Sequence, residues 1–211
     1  PLFQDWDGVA AKIRGRKKVL LSFDYDGTLT PIVARPELAV LSPKIRTLLK
    51  AVAEKPRYLT AIVSGRSLAD VRKLVGLKKI IYAGNHGMEL EGPSLRYLNQ
   101  QAEAAGPVLK KIAGILKNEE SNIPGLQIED KKLSLSIHFR RVDGKDVDKL
   151  LRMVENVTRP GQEKRLIRVT TGKKVIEIRP PVRWDKGKII TWLRKRLQDP
   201  DAPPILTFYV G

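Results

Sequence analysis

Two carboxylates, Asp24 and Asp26, stand two positions apart in the segment DYDGTLT (24–30), directly behind the apolar run VLLSF (19–23). Side chains alternate along a strand, so residues i and i+2 share a face. Just beyond a strand end, such a pair can converge on one point. Two carboxylates there can divide labour, one as nucleophile and one as general acid and base. Both are also oxygen donors of the kind a hard cation such as Mg²⁺ takes. Gly27 permits a tight turn or close substrate approach. The Thr28 hydroxyl can hydrogen-bond a phosphate or the carboxylates. An Asp-Gly turn after a strand is common, but a turn alone has no need of the first aspartate.

The elements that must position this pair are legible on either side. KKVLLSF (17–23) reads as a fully buried strand. Ser42-Pro43 opens a helix with an apolar stripe at Ile45, Leu48, Leu49 and Val52, closed at Lys55-Pro56. RYLTAIV (57–63) is a second buried strand. Ser67 to Asp70 resembles a capping box for a helix through Leu74, stopped at Gly76, and KIIYAG (79–84) is a third strand. Strand, helix, strand, helix, strand is the pattern of a parallel, Rossmann-like α/β sheet. In open sheets of this kind, ligands bind in the crevice at the carboxyl ends of the strands. From residue 99 the character changes. A helix over 99–120, interrupted or kinked at Gly106-Pro107, precedes strands at 126–130 and 132–140. A turn at Asp143-Gly144, a helix over 145–157 and a strand–turn–strand over 165–180 follow. Asp185 then caps a helix over 186–197, and PILTFYV (204–210) is another buried strand. The expected architecture is an α/β core of residues 1–98 and 182–211, split by an inserted α+β cap domain at 99–181.

DYDGTLT behind a buried strand resembles the first motif of the haloacid dehalogenase superfamily of phosphotransferases. The resemblance implies that Asp24 takes the phosphoryl group as an aspartyl-phosphate. It implies that Asp26 protonates the leaving alkoxide and then activates water. The superfamily's second motif, a Ser or Thr at the end of the next strand, is met by Ser64 in TAIVSGR, and SGR with Arg66 resembles the sugar-phosphatase branch, which implies that Ser64 and Arg66 contact phosphate. A helix-capping serine is the plainer reading of Ser64. The third motif, a lysine at the start of a late helix, is met by Lys186 in WDKGK, with Lys188 as a nearby rival. Such a lysine would neutralise phosphate and carboxylate charge, although most single lysines are simply solvated. The fourth motif is one or two aspartates after the last strand, completing an Mg²⁺ site with Asp24 and the backbone carbonyl of Asp26. It is expected beyond FYVG, where the sequence ends at Gly211.

The cap placement and three further stretches resemble the trehalose-6-phosphate phosphatase family: YAGNHGMEL (82–90), IEDKKLSLSIHFR (128–140) and KVIEIRPPVRWDKGK (174–188). The resemblance implies that Glu129, Lys131 and Glu177 read the sugar and that Asn85 and His86 contact substrate. The residue types agree. Each sugar hydroxyl both donates and accepts, so carboxylates and an ammonium together suit a disaccharide. Alternation puts Glu129 and Lys131 on one face of a strand, where they could equally form an ion pair on a solvated sheet. Glu177 lies between Ile176 and Ile178 and is expected to end a cap strand. Asn85 and His86 follow a buried strand, in crevice position, and His86 could also be a simple loop histidine. His138, between Ile137 and Phe139, reads as structural support.

Composition bounds the partners. The chain has 211 residues, 42% apolar and 30% charged, with no cysteine. Disulfides, thiolate nucleophiles and Cys-based metal sites are excluded. No apolar run approaches the roughly 20 residues of a membrane span. Residues 1–18 have no signal-peptide-like apolar core, and a cytoplasmic setting is expected. The sequence begins without Met, so a processed chain, a fragment or part of a larger polypeptide is expected. Net charge is +17, from 40 basic and 23 acidic residues, and an acidic continuation is expected to lower it. The basic residues are spread along the chain and aromatics are only 6%, too few for a base-stacking surface. A small anionic sugar phosphate is thus the expected partner, with nucleic acid and membrane argued against. The rivals are a related sugar phosphatase, acting on sucrose phosphate or a glycosyl-phosphoglycerate, and a non-catalytic regulatory domain of a larger trehalose-synthesising protein. The sequence carries no signal for oligomeric state.

Overall fold

The structure is a computed structural model and describes residues 2–33 and 36–211. It divides into two compact units, Pro1–Tyr97 with Trp184–Gly211, and Leu98–Arg183.

The first unit is built on a six-stranded sheet. Its elements are α1 (Trp6–Arg14), β1 (Val19–Asp24), α2 (Pro43–Ala53), β2 (Tyr58–Val63), α3 (Leu68–Val75), β3 (Ile81–Gly84), β4 (Glu89–Gly92), β5 (Leu95–Leu98), α7 (Lys186–Leu197) and β10 (Leu206–Val210). The strand order is β10-β1-β2-β3-β4-β5, with the first four parallel and β4 antiparallel to β3. A parallel sheet must be covered on both faces, and alternation along β2 does this. Ala61 and Val63 pack with Ile189 and Leu193 of α7 on one side. Ile62 packs with Leu49 of α2 and Val71 and Val75 of α3 on the other. The helix starts follow the capping expected from sequence: Ser42 accepts from Ile45 N–H and Ser67 from Asp70 N–H.

The second unit is α+β. It contains α4 (Gln100–Ala104), α5 (Gly106–Glu120), β6 (Gln127–Asp130), β7 (Leu135–His138), α6 (Gly144–Glu163), β8 (Arg168–Gly172) and β9 (Val175–Arg179). Its sheet, ordered β6-β7-β9-β8, is antiparallel throughout. One face carries Ile128, Leu135, Ile137, Ile176 and Ile178 and forms a separate core with Leu109, Ile112 and Leu116 of α5 and Leu150 and Val154 of α6. The opposite face carries Glu129, Ser136 and Glu177.

The interruption expected at Gly106-Pro107 divides residues 99–120 into two helices, with Pro107 in the first turn of α5. Several other elements depart from the sequence expectation. The segment ELEGPSLRYL forms β4 and β5 around a Gly-Pro turn, two strands beyond those expected. α6 runs past 157 to Glu163 with Pro160 in its last turn, because Thr158 and Gly161 are buried there. The strand expected over 132–140 is ordered as a strand only over 135–138.

Candidate active site

Asp24 is the last residue of β1, opposite Val63 of β2. Its Oδ1 accepts the Tyr25 N–H at 2.8 Å, and its Oδ2 receives Lys186 Nζ at 2.5 Å. Lys186 is the first residue of α7. Asp185 caps that helix by accepting the Lys188 N–H at 2.8 Å, and Lys188 Nζ stays near Asp185 at 3.8 Å. Of the two lysines weighed in the sequence, the structure brings Lys186 to Asp24. Its position is fixed from behind. Trp184 Nε1–H donates to the Gly87 carbonyl at 2.7 Å, and the Trp184 ring stacks on Tyr97 at 5.6 Å. Gly87 has φ +92°, and a Cβ there would come within 2.5 Å of Ile189 Cγ2. Only glycine lets the 85–87 turn approach α7 so closely. β10 runs parallel to β1 with Val210 opposite Phe23, which delivers the next residue beside Asp24.

Asp26 lies two residues on, with its side chain nearly half exposed, and meets Arg66. Arg66 Nη2 donates to Asp26 Oδ1 at 2.7 Å, and Nε lies 3.0 Å from Oδ2. The same guanidinium donates through Nη1 to Asp70 at 3.0 Å and through Nη2 to the Pro36 carbonyl at 2.8 Å. Its plane lies over the buried Tyr25 ring, 5.3 Å from the centroid. Burial of Arg66 opposes its charge, but its hydrogen bonds to Asp26 and Asp70 outweigh that and hold its pKa above the ordinary value. The sequence expectation sets Arg66 against phosphate. In the structure all three of its guanidinium nitrogens are engaged by protein oxygens, chiefly the Asp26 carboxylate. The Asp70 contact follows the i, i+4 spacing in SGRSLAD and was missed.

Ser64 follows β2 and is fully buried. Its Oγ accepts the Arg66 N–H at 3.1 Å within a turn, and the helix cap weighed for it in the sequence belongs instead to Ser67. Thr28 is half-buried in the turn after Asp26. Asn85 and His86 form a short 3₁₀ turn with φ of 49° and 57°, in the left-handed region. Asn85 is fully buried, and its Nδ2 donates to Glu89 Oε1 at 2.7 Å. That same oxygen accepts the Leu68 N–H at 2.8 Å, tying the turn to the start of α3. Sequence reasoning missed Glu89. His86 is partly exposed, and its ring lies over Gly65, where a Cβ would meet Cε1 at 2.8 Å.

In the second unit, Glu129, Ser136, Glu177 and Thr170 stand opposite one another in a row across β6, β7, β9 and β8. Lys131 lies just past β6 instead of within it, yet it joins the row. Its Nζ donates to Ser136 Oγ at 2.8 Å and sits 3.5 Å from Glu129. Ser136 Oγ in turn donates to Glu177 Oε1 at 3.4 Å, and His138 Nε2 is 3.4 Å from Glu129. Glu177 is central in β9, not at its end, and Arg179 lies 3.7 Å from it. Burial pushes the Glu129 carboxyl up, but His138 and Lys131 more than reverse this and hold it below its usual value. Ser136 and Arg179 were not singled out from sequence. Both sit at positions the strand alternation assigns to the polar face.

As a cation site, Asp24 and Asp26 offer oxygen donors on one turn. Among the described residues no cluster of three or more His, Cys, Asp or Glu surrounds a common point. Magnesium commonly uses one or two carboxylates and fills its remaining positions with water and phosphate oxygens. The pair fits that ion with a phosphate ligand. No helix among the described residues is long and apolar enough to cross a membrane.

Comparison with known proteins gives a consistent picture. A family profile described as trehalose-phosphatase matches residues 22–211. Trehalose-phosphate phosphatase B of Arabidopsis thaliana is 38% identical over 204 residues, covering 92% of this chain and 53% of that protein. A trehalose-phosphate phosphatase of Mycobacterium bovis is 40% identical over 191 residues, covering 90% and 47%. The chain therefore spans about half the length of these curated relatives. Among solved structures, the C-terminal domain of Candida albicans trehalose-6-phosphate phosphatase superposes with a TM-score of 0.75 at 27% identity, covering 98% of this chain and 73% of that one.

Proposed function

We propose, from the premise that the chain belongs to the trehalose-phosphatase family, that it hydrolyses trehalose 6-phosphate to trehalose and phosphate. The observation that carries this reading is the pairing at the end of β1, with Lys186 Nζ 2.5 Å from Asp24 and Arg66 clamped on Asp26. An Asp24 oxygen attacks phosphorus in line, the bond from phosphorus to the sugar oxygen breaks, and the phosphoryl group passes to Asp24. Asp26 gives its proton to the departing sugar oxygen. Asp26 then takes a proton from water as that water attacks phosphorus. The bond from phosphorus to Asp24 breaks, and phosphate leaves with both carboxyl groups restored.

Lys186 offsets the negative charge that gathers as carboxylate and phosphate meet. Thr28 holds phosphoryl oxygens, and the fully buried Ser64 shapes the turn that presents Arg66. Arg66 acts as a positioning residue, fixing the carboxylate that moves the proton. Magnesium held by Asp24 and Asp26 supplies charge neutralisation of the phosphate when bound. Glu129, Lys131 and Glu177, held in register through Ser136, recognise sugar hydroxyls. Asn85 holds the turn from which His86 reaches substrate. A cytoplasmic setting belongs to the same reading, supported by the cysteine-free sequence.

The test is phosphate release from trehalose 6-phosphate, with sucrose 6-phosphate and glucose 6-phosphate alongside, each with magnesium and with EDTA. Release confined to trehalose 6-phosphate and lost with EDTA is expected. Asp24→Asn is expected to lower turnover about 10³-fold or more. Equal release from all three sugars would remove the sugar assignment, and full activity of the Asp24→Asn variant would remove the chemistry.

A further inference from the structure

β2 begins before its neighbour. Tyr58, Leu59 and Thr60 pair with β1 on one side, but β3 joins the other side only from Ala61. The gap left in the sheet is a cavity of about 600 Å³, in the range of small-molecule sites. Leu59, Ile81 and Leu197 give it apolar walls, and Lys55, Lys79 and Arg196 stand around it. No ion pair joins these three cations to an acidic group among the described residues. Thr60, only 2% exposed, also lines the cavity, and its Oγ1 has no hydrogen-bond partner.

We propose that this cavity is a binding site for a small soluble anion with an apolar body, an aryl or acyl carboxylate, sulfonate or phosphate. The apolar part fills the gap against Leu59, Ile81 and Leu197. The anionic head meets the three cations at the mouth, where charge complementarity replaces the missing acidic partners. An inorganic anion would leave the walls unused, and a neutral apolar molecule would leave the cations unused. The cavity lies at the amino ends of the parallel strands. The register puts Asp24 opposite Val63, three to five residues past Tyr58–Thr60 at the carboxyl end, roughly 10–17 Å away. The site is therefore distinct from the one that carries the phosphatase reading and does not depend on it. α7 spans the distance, with Lys186 at its start and Arg196 and Leu197 at its end.

The test uses 8-anilinonaphthalene-1-sulfonate, an aromatic anion whose fluorescence reports an apolar environment, titrated onto the folded chain. One saturable site is expected, displaced by 2-naphthoate but not by inorganic sulfate at equal concentration. In a K55E/K79E/R196E variant, the dissociation constant is expected to rise about tenfold or more, from three exposed charge reversals. All three side chains are exposed, so far-UV circular dichroism is expected to stay unchanged. Filling the gap with Leu197→Trp gives a second variant, expected to lose the site while keeping the cations. Affinity within twofold of the parent in both variants, or equal displacement by sulfate, would overturn the proposal.

Discussion

At the scale of single residues, the consequential pairing is Arg66 with Asp26, because it separates two roles that the sequence leaves together. A phosphate-binding arginine needs donors free to face substrate. Here Nε, Nη1 and Nη2 are all engaged by Asp26, Asp70 and the Pro36 carbonyl. If Arg66 positions the proton-moving carboxylate, Arg66→Gln should lower kcat about 10²-fold, the scale of a misplaced catalytic group, with KM for the sugar phosphate little changed. Arg66→Lys, which keeps the charge but not the fork, should recover only part of that loss. Steady-state kinetics decide it. A large rise in KM at constant kcat would return Arg66 to the phosphate. The placement of Asp24 at a strand end and Lys186 at a helix start was legible in sequence, because spacing is visible at element ends. The engagement of Arg66 was not, because it depends on a residue one helical turn later and on a carbonyl some thirty residues earlier, which only the folded turn brings together.

At the scale of elements, the sequence was most informative where one period ran unbroken. VLLSF and TAIV became β1 and β2, and Ser42 and Ser67 cap the helices they were expected to cap. It was least informative over short, strongly turned pieces. The β4–β5 segment has only four residues in each strand, too few for alternation to stand out. In the second unit, alternation identified the polar face but not the link through Ser136, since a serine between apolar residues carries no functional signal of its own. That row has a consequence for acid stability. Glu129 is held below its usual pKa by His138 and Lys131, so the unfolded chain takes up its proton more readily than the folded one. The stabilisation is present above the ordinary carboxylate range and is lost as pH falls through the folded-state value. Unfolding midpoints in urea, followed by circular dichroism near neutral pH and at about pH 3, should fall less with acid in Glu129→Gln than in the parent. Identical acid dependence in both would mean that the contacts around Glu129 do not favour its charged form.

At the scale of the whole molecule, the two units have separate cores. The cluster of the second unit draws every buried member from residues 105–178, and neither cluster of the first unit includes any of them. A unit with its own core behaves as a cooperative folding unit. The sequence supplies a means of reading the two apart. All three tryptophans, Trp6, Trp184 and Trp192, lie in the first unit, so tryptophan fluorescence follows that unit while far-UV circular dichroism follows both. Leu150 of α6 is fully buried in the second core. Leu150→Ala removes buried apolar volume and leaves a cavity, a loss of about 2–5 kcal/mol. The expected result is a lowered midpoint in the part of the circular dichroism transition that fluorescence does not share, with the tryptophan midpoint unchanged. If both probes shift together by the same amount, the chain unfolds as one cooperative body, and the separation of cores does not extend to separate stability. The outcome also bears on substrate recognition. Independent unfolding would let substitutions in the Glu129 row change sugar recognition while the strand ends around Asp24 stay folded, and that separation is needed to assign a kinetic loss in such variants to recognition instead of to stability.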